Sequence, residues 1–218
     1  MVKPNNIFDG SCLYVLTDSA DFADDRQAPQ LRQRIKELVA GGAKFIQLRD
    51  KSLSDRQLVE VGRLMKSQLT GAKTQFIMND RADLAVACDA DGVHLGQDDI
   101  LPADARKILG EGKWIGLSTH SLSQVRQAVD WAVDYIGVGP VFPSVTKTFS
   151  EYVGVELLEQ LSREIEIPSF AIGGIDAQNV SQIVAAGFRR IAVSSAVIQA
   201  RSVKGAAEKL VWELSRVV

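Results

Sequence analysis

The feature that most limits what this chain can fold into is a regular alternation of two kinds of segment. Eight short runs rich in apolar or β-branched residues recur along the 218 residues: Leu13–Leu16, Phe45–Leu48, Gln75–Met78, Gly92–Leu95, Trp114–Leu117, Tyr135–Val138, Ser169–Ile172 and Ile191–Val193. Between most of them the spacing is helical. Leu31, Ile35, Leu38 and Val39 fall three or four apart, as do Leu58, Val61, Leu64 and Met65, so each set forms the apolar face of an amphipathic helix. Small-residue stops follow, Ala40-Gly41-Gly42-Ala43 and Ala185-Ala186-Gly187-Phe188, where glycine can take the left-handed conformation that ends a helix. Eight buried strands, each followed by a covering helix, suit a compact (β/α)8 TIM barrel, and 218 residues lies near the lower end of the usual ~250. An open doubly wound sheet competes with it. The first run, however, leads into Thr17-Asp18-Ser19 and lacks the glycine-rich turn that a dinucleotide fold places there. The expectation is one barrel domain over residues 1–218, with its core at about 11–200.

Charge narrows what such a barrel can bind. Twenty-five Lys and Arg against 27 Asp and Glu leave a formal charge of −2, so no global positive field draws the chain to nucleic acid or anionic lipid. An anionic ligand must therefore meet cations placed locally. No apolar run approaches the roughly 20 residues that span a bilayer, and Met1 to Gly10 lacks a basic-then-apolar leader pattern, so the expected address is cytoplasmic. Cys12 and Cys88 stand far apart without neighbouring ligand residues and read as small core residues, not as a disulfide or zinc pair. A homo-oligomer is left open.

A barrel assembles its active site from residues just after the carboxyl ends of its strands. After the second run comes Gln47-Leu48-Arg49-Asp50-Lys51; alternation sends Gln47, Arg49 and Lys51 to one side, where two cations and an amide suit an oligophosphate. Asn79-Asp80-Arg81 follows the third run, and His94-Leu95-Gly96-Gln97-Asp98-Asp99 closes the fourth. If neighbouring strands bring Asp80 and Asp99 together, a hard cation with oxygen ligands relieves their repulsion, and magnesium commonly binds through one or two carboxylates plus substrate phosphates. The plainer alternative makes Asp80 the cap of a helix over 81–88 and puts Asp98 and Asp99 in a turn. Ser118, after the fifth run, either faces a ligand or caps the helix starting near Ser121–Ser123. His94 and His120 have no triad partner in sequence and read as structural or ligand-orienting. The stretch Gly137 to Lys147 reads as a loop that turns Ser144, Thr146 and Lys147 inward. The pair Gly173-Gly174 after the seventh run, with Ser194-Ser195 after the eighth, matches the backbone phosphate cradle that barrels build there.

Two anion sites facing one mouth suggest two phosphorylated small-molecule substrates. At this point the residues resemble the thiamine phosphate synthases from Leu13 to about Ile198. The matching motifs are Gln-Leu-Arg-x-Lys at 47–51, Asn-Asp at 79–80, Asp-Gly-Val-His-Leu-Gly-Gln-x-Asp at 91–99, Gly-x-Ser-x-His at 116–120, Thr-Lys at 146–147 and Ala-Ile-Gly-Gly-Ile at 171–175. The resemblance implies a transferase that joins 4-amino-2-methyl-5-(diphosphooxymethyl)pyrimidine to a thiazole ethyl phosphate, with magnesium as cofactor. By matching positions it implies Asp80 and Asp99 as metal ligands. Gln47, Leu48, Arg49, Asp50, Lys51, Asn79, Ser118 and Lys147 fall in the pyrimidine diphosphate site, with Arg49, Lys51, Lys147 and Ser118 serving the chemistry. Ser144, Val145, Thr146, Gly174, Ser194 and Ser195 fall in the thiazole phosphate site. Two departures stand out: many members carry threonine at the position of Ser144 and an aliphatic residue at that of Ser194. A thiazole tautomerase is the nearest alternative, and a catalytically idle metabolite-binding barrel a more distant one.

Overall fold

The structure, a computed structural model, describes residues 7–18, 28–143 and 152–216. Its elements alternate along the chain: β1 (Cys12–Asp18), α1 (Ala28–Ala40), β2 (Ala43–Arg49), α2 (Asp55–Leu69), β3 (Gln75–Asn79), α3 (Ala82–Ala87), β4 (Gly92–Leu95) and α4 (Pro102–Leu109) form the first half. The second half is β5 (Trp114–Thr119), α5 (Leu122–Asp130), β6 (Tyr135–Val138), α6 (Gly154–Glu164), β7 (Ser169–Ile172), α7 (Val180–Ala185), β8 (Arg190–Val193), α8 (Ser195–Ile198) and α9 (Val203–Ser215). The eight strands close into one parallel barrel in sequence order, with β8 returning to pair with β1. Each expected strand is present, longer by three residues in β1 and β2 and by one or two in β3, β5 and β8. Gly42 and Gly187, in the two small-residue stops, take φ of +87° and +91°, the left-handed conformation that reverses the chain after α1 and α7.

Strand alternation divides the apolar residues into two cores. Outward-facing Leu13, Val15, Ile46, Leu48, Phe76, Met78, Leu117 and Ile136 pack under the helices against Leu31, Ile35, Leu38, Met65, Leu158 and Leu161. Inward-facing Tyr14, Phe45, Ile77, Trp114, Tyr135, Phe170 and Ala192 fill the barrel. The inner aromatics meet at centroid distances of 5.4–6.0 Å, many edge to face, as for Tyr14 with Phe170 and Tyr135 with Phe170. Such pairs contribute about 0.5–1.5 kcal/mol each beyond the area they bury. Phe8 closes the floor, stacked 5.5 Å from Phe45 and edge-on to Trp114 at 5.2 Å. The barrel interior is therefore filled by side chains below its mouth. Both cysteines are free and buried, as expected of core residues, and burial pushes the Cys12 thiol up to about 12. Among the described residues no helix is long and apolar enough to cross a membrane.

Candidate active site

A cavity of about 840 Å³ opens at the carboxyl ends of the strands. Its walls gather Gln47, Arg49 and Lys51 from the end of β2, Asn79 and Asp80 from β3, Asp98 and Asp99 after β4, and Ser118 from β5. Gly173 and Gly174 after β7 and Ser194 and Ser195 after β8 line the same space. Segments distant in sequence thus converge as the barrel topology requires. A larger groove of about 1150 Å³ lies at the opposite end, near Lys44, Lys66 and Lys113. Those cations are engaged: Lys66 pairs with Asp91 at 2.5 Å, Lys113 with Asp89 at 2.7 Å, and Lys44 donates to the carbonyls of Ile7 and Asp9. The mouth, where Arg49 and Lys51 stand beside the carboxylates and the glycine pair, is the better site for an anionic substrate.

Two of the expected residues, Leu48 on β2 and Asp50 just after it, do not reach the cavity with their side chains. Leu48 is fully buried in the outer core, because alternation turns it away from its neighbours Gln47 and Arg49. Asp50 shapes the turn after the strand instead: its Oδ1 accepts from Ser52 N–H at 2.7 Å, Ser52 Oγ at 2.8 Å and Leu53 N–H at 3.2 Å. Ser144, Val145, Thr146 and Lys147 lie outside the described residues. Before them, the chain after β6 is held against the end of β7 by Val141 N–H to the Ile172 carbonyl at 2.9 Å and Phe142 N–H to the Gly173 carbonyl at 3.0 Å.

The carboxylate pair is decided by geometry. The cap of α3 is Arg81, with no side-chain cap bond, so Asp80 is not a capping residue. Arg81 itself turns outward, paired with Asp55 and Asp83. Asp80 has φ of +59° and stands at the centre of a tight turn closed by Arg81 N–H to the Asn79 carbonyl at 2.7 Å. Positive φ is strained for a residue with a Cβ, and such strain is typical of functional sites. The turn aims the side chain at Asp99. Partial burial, followed by a hydrogen bond and charge repulsion from Asp99, pushes the Asp80 carboxyl up to about 6, with Lys51 pulling the other way. Asp99 is steadied by Gly96 N–H, which donates to its Oδ2 at 2.6 Å. Two facing carboxylates that resist joint ionisation, open to a cavity with room for phosphate oxygens, fit a hard divalent cation. Among the described residues no cluster of three or more His, Cys, Asp or Glu competes for that role.

Ser118 is likewise released from the capping alternative, since Ser121 caps α5 by accepting from Gln124 N–H. The Ser118 hydroxyl lies 3.0 Å from His94 Nε2, and its carbonyl accepts from Gln97 Nε2 at 2.6 Å. His94 is buried in the barrel, 3.3 Å from the Tyr135 hydroxyl through Nδ1, and burial pushes its pKa down to about 4. His120 turns its Nδ1 to the Gly139 carbonyl. Both ring nitrogens of His94 and Nδ1 of His120 are thus engaged by protein groups. On the far wall, Gly174 has φ of +64°, and a Cβ there would stand 2.3 Å from the Pro143 carbonyl oxygen. Only glycine allows the two loops to meet this closely. Ser194 stands at the N-cap position of the short helix α8 without a side-chain cap bond, and Ser194, Ser195 and Ala196 line the cavity at the start of that helix.

Sequence reading missed Tyr14, Thr17, Gln97, Tyr135 and Ile172, all of which line the cavity. Tyr14 and Tyr135 share strand parity with Gln47 and Ser118, a signal visible in the alternation once the inward phase of each strand is known.

A profile of the family described as "Thiamine monophosphate synthase" matches residues 13–197. The thiamine-phosphate synthase of Rhodopirellula baltica is 47% identical over 181 residues, covering 80% of this chain and 48% of the relative. This chain thus spans about half the length of that relative. The thiamine-phosphate synthase of Halalkalibacterium halodurans is 41% identical over 197 residues, covering 90% of this chain and 92% of the relative. Among solved structures, a thiamine phosphate pyrophosphorylase from Pyrococcus furiosus superposes with a TM-score of 0.84 at 33% identity, covering 96% of this chain and 98% of that one.

Proposed function

Because the chain belongs to the thiamine monophosphate synthase family, we propose that it joins 4-amino-2-methyl-5-(diphosphooxymethyl)pyrimidine to a thiazole ethyl phosphate, releasing diphosphate and forming thiamine phosphate. The observation that carries the reading is the convergence, in one cavity, of the Asp80 and Asp99 carboxylates with Arg49 and Lys51 on one wall and the Gly174 and Ser194-Ser195 backbone on the other. Two different anion-binding chemistries facing each other suit two phosphorylated substrates.

In this reading Gln47, Asn79 and Ser118 hold the pyrimidine ring, and Arg49 and Lys51 hold its diphosphate. Lys147, which lies outside the described residues, would add a third cation. Gly174, Ser194 and Ser195, with Ser144, Val145 and Thr146, hold the thiazole phosphate. The carbon–oxygen bond to diphosphate breaks first, leaving a pyrimidine methyl cation stabilised by its ring amino group. The thiazole nitrogen then donates its lone pair to that carbon. No strong base is required, which agrees with histidines engaged as orienting groups. What lowers the barrier is preorganised positive charge around the departing oxygen, each donor of this kind being worth about 3 kcal/mol. Asp80 and Asp99 would hold magnesium, which when bound adds positive charge against the leaving diphosphate. The aromatic floor of the barrel excludes water from below.

A tautomerase has no diphosphate to hold, so it has no use for the facing carboxylates beside Lys51. The test is to combine the purified protein with both substrates and magnesium, with and without chelator. Thiamine phosphate is expected only without chelator, and its absence in both arms overturns the proposal. Asp80→Ala and Asp99→Ala are each expected to collapse turnover and to weaken magnesium binding in calorimetry. Near-wild-type rates at limiting magnesium in either variant would remove the metal assignment.

A further inference from the structure

Five polar side chains cross the barrel beneath the cavity in an unbroken line. Gln47 Nε2 on β2 donates to the Tyr14 hydroxyl on β1 at 2.6 Å. The Tyr14 hydroxyl lies 3.2 Å from that of Tyr135 on β6, which lies 3.3 Å from His94 Nδ1 on β4. His94 Nε2 then meets the Ser118 hydroxyl on β5 at 3.0 Å. Tyr14, Gln47 and Tyr135 are at most 1% exposed, so bulk water does not compete for the bonds between them.

Counting hydrogens orders the line. A phenol has one hydrogen, and a neutral imidazole has one donor nitrogen and one acceptor nitrogen. Burial raises both phenols far above the ordinary tyrosine range, so both keep their hydrogens, and at pH 9, well above the ordinary histidine range, an imidazole is neutral. The Tyr14 oxygen receives the Gln47 amide hydrogen, and the neighbouring acceptor for its own hydrogen is the Tyr135 oxygen. Tyr135 then gives its hydrogen to His94 Nδ1. That leaves the His94 hydrogen on Nε2, donated to Ser118 Oγ, and the Ser118 hydrogen is free to point at a ligand. At the other end, Gln47 Oε1 is buried without a partner among the described residues, while Gln47 lines the cavity. The opposite order is also self-consistent. Turning the Gln47 amide over reverses every bond, giving His94 an Nδ1 hydrogen, Gln47 a free N–H and Ser118 a free lone pair.

We infer that Tyr14, Tyr135 and His94 are positioning residues in a proton-ordered chain that couples Gln47 to Ser118, so that the site presents an acceptor at Gln47 and a donor at Ser118. This rests on the proposed function for its ligand: an aminopyrimidine offers an amino hydrogen and ring-nitrogen lone pairs, which suit that polarity, whereas the reversed chain would suit an oxo ring. The side chains in the middle touch no substrate in this account. They act by fixing which atoms their terminal partners show, and a continuous chain of such bonds reinforces itself in a low-dielectric interior.

The test reads the tautomer directly, by side-chain nitrogen NMR of the ligand-free protein at pH 9. The chain has two histidines, and a His120→Gln variant assigns them. His120 faces a carbonyl through Nδ1 and is expected to carry its hydrogen there; His94 is expected to show the opposite, Nε2-protonated pattern. Gln47→Glu replaces the amide donor by a carboxylate that only accepts, and is expected to reverse His94 to the Nδ1 form although the two residues do not touch. Adding Tyr135→Phe cuts the chain and is expected to abolish the reversal. An Nδ1-protonated or mixed His94 in the wild type overturns the inference even if no variant folds, and so does an Nε2 form that persists in Gln47→Glu. For the effect on substrate, Tyr135→Phe alone is expected to raise the KM for the pyrimidine diphosphate roughly five- to tenfold, with that for the thiazole phosphate unchanged; equal KM values overturn the positioning role. A protein without synthase turnover fails the functional proposal, and the NMR result stands apart from it.

Discussion

Gly116→Ala tests whether the inner ring of the barrel is packed as described. Gly116 sits on β5 between two inward-facing side chains, and a Cβ there would lie 2.2 Å from Tyr135 Cζ and 2.5 Å from His94 Nδ1. Ordinary contact begins near 3.4 Å, so the Tyr135 ring must retreat by about 1 Å into an interior packed at crystal-like density. Overpacking of this kind costs about 1–3 kcal/mol. Displacing Tyr135 also strains its bonds to Tyr14 and His94, and a buried polar group left unsatisfied costs about 1–3 kcal/mol more. Reduced freedom of the unfolded chain returns about 0.4–1 kcal/mol. The net expectation is a loss of roughly 1–5 kcal/mol. Gly137→Ala is the internal control: it lies on β6, also inside the barrel, but its Cβ would stand 3.5 Å from His94 Cε1, an ordinary contact. That variant should be level with the parent or up to about 1 kcal/mol more stable. Equilibrium unfolding in urea, comparing midpoints at constant slope, separates the two. Equal midpoints would refute the packing, because steric demand is what distinguishes these two interior glycines.

Two further expectations follow from other parts of the site. The unfolded His94 takes up a proton near 6.5 and the native one only near 4, so in that window the unfolded state holds more protons. Stability therefore falls as pH drops from 6.5 to 4, by about 3 kcal/mol from this group, and a His94→Gln variant should show a correspondingly flatter profile in urea unfolding; parallel profiles would contradict a buried neutral imidazole. Gly174→Ala forces a side chain onto a residue at φ +64° and against the Pro143 carbonyl. It is expected to raise the KM for the thiazole phosphate about tenfold or more, and an unchanged value would move that phosphate elsewhere.

The eight strands and the helices between them were legible because their signals are local. A strand of four to seven residues buried on both faces must be nearly continuous in apolar residues, and a covering helix must repeat every three or four. Gly42 and Gly187 marked helix ends for an equally local reason, a backbone conformation that side chains resist. The charged residues at the mouth could be listed once the strands were counted, since barrel topology places whatever follows a strand at one end. Leu48 and Asp50 show where this stopped. A contiguous motif invites reading every member as functional, while the strand presents only every second one to the cavity.

What the chain by itself determined was the number and order of its strands and the helical character of most segments between them, and with these many of the residues near the mouth. Tertiary structure decided which of those residues meet. Asp80 and Asp99 are each compatible with a cap or a turn in sequence; the tight turn at Asp80 and the alignment of β3 with β4 make them a pair. Tyr14 and Tyr135 read as ordinary core residues, because a phenol suits either face of a buried strand. Closure of the barrel turned both inward and brought their hydroxyls together from strands β1 and β6. The physical reason is one of range: periodicity and glycine conformation are set within a few residues, whereas a hydrogen bond or a charge repulsion across the barrel exists only after all eight strands have joined.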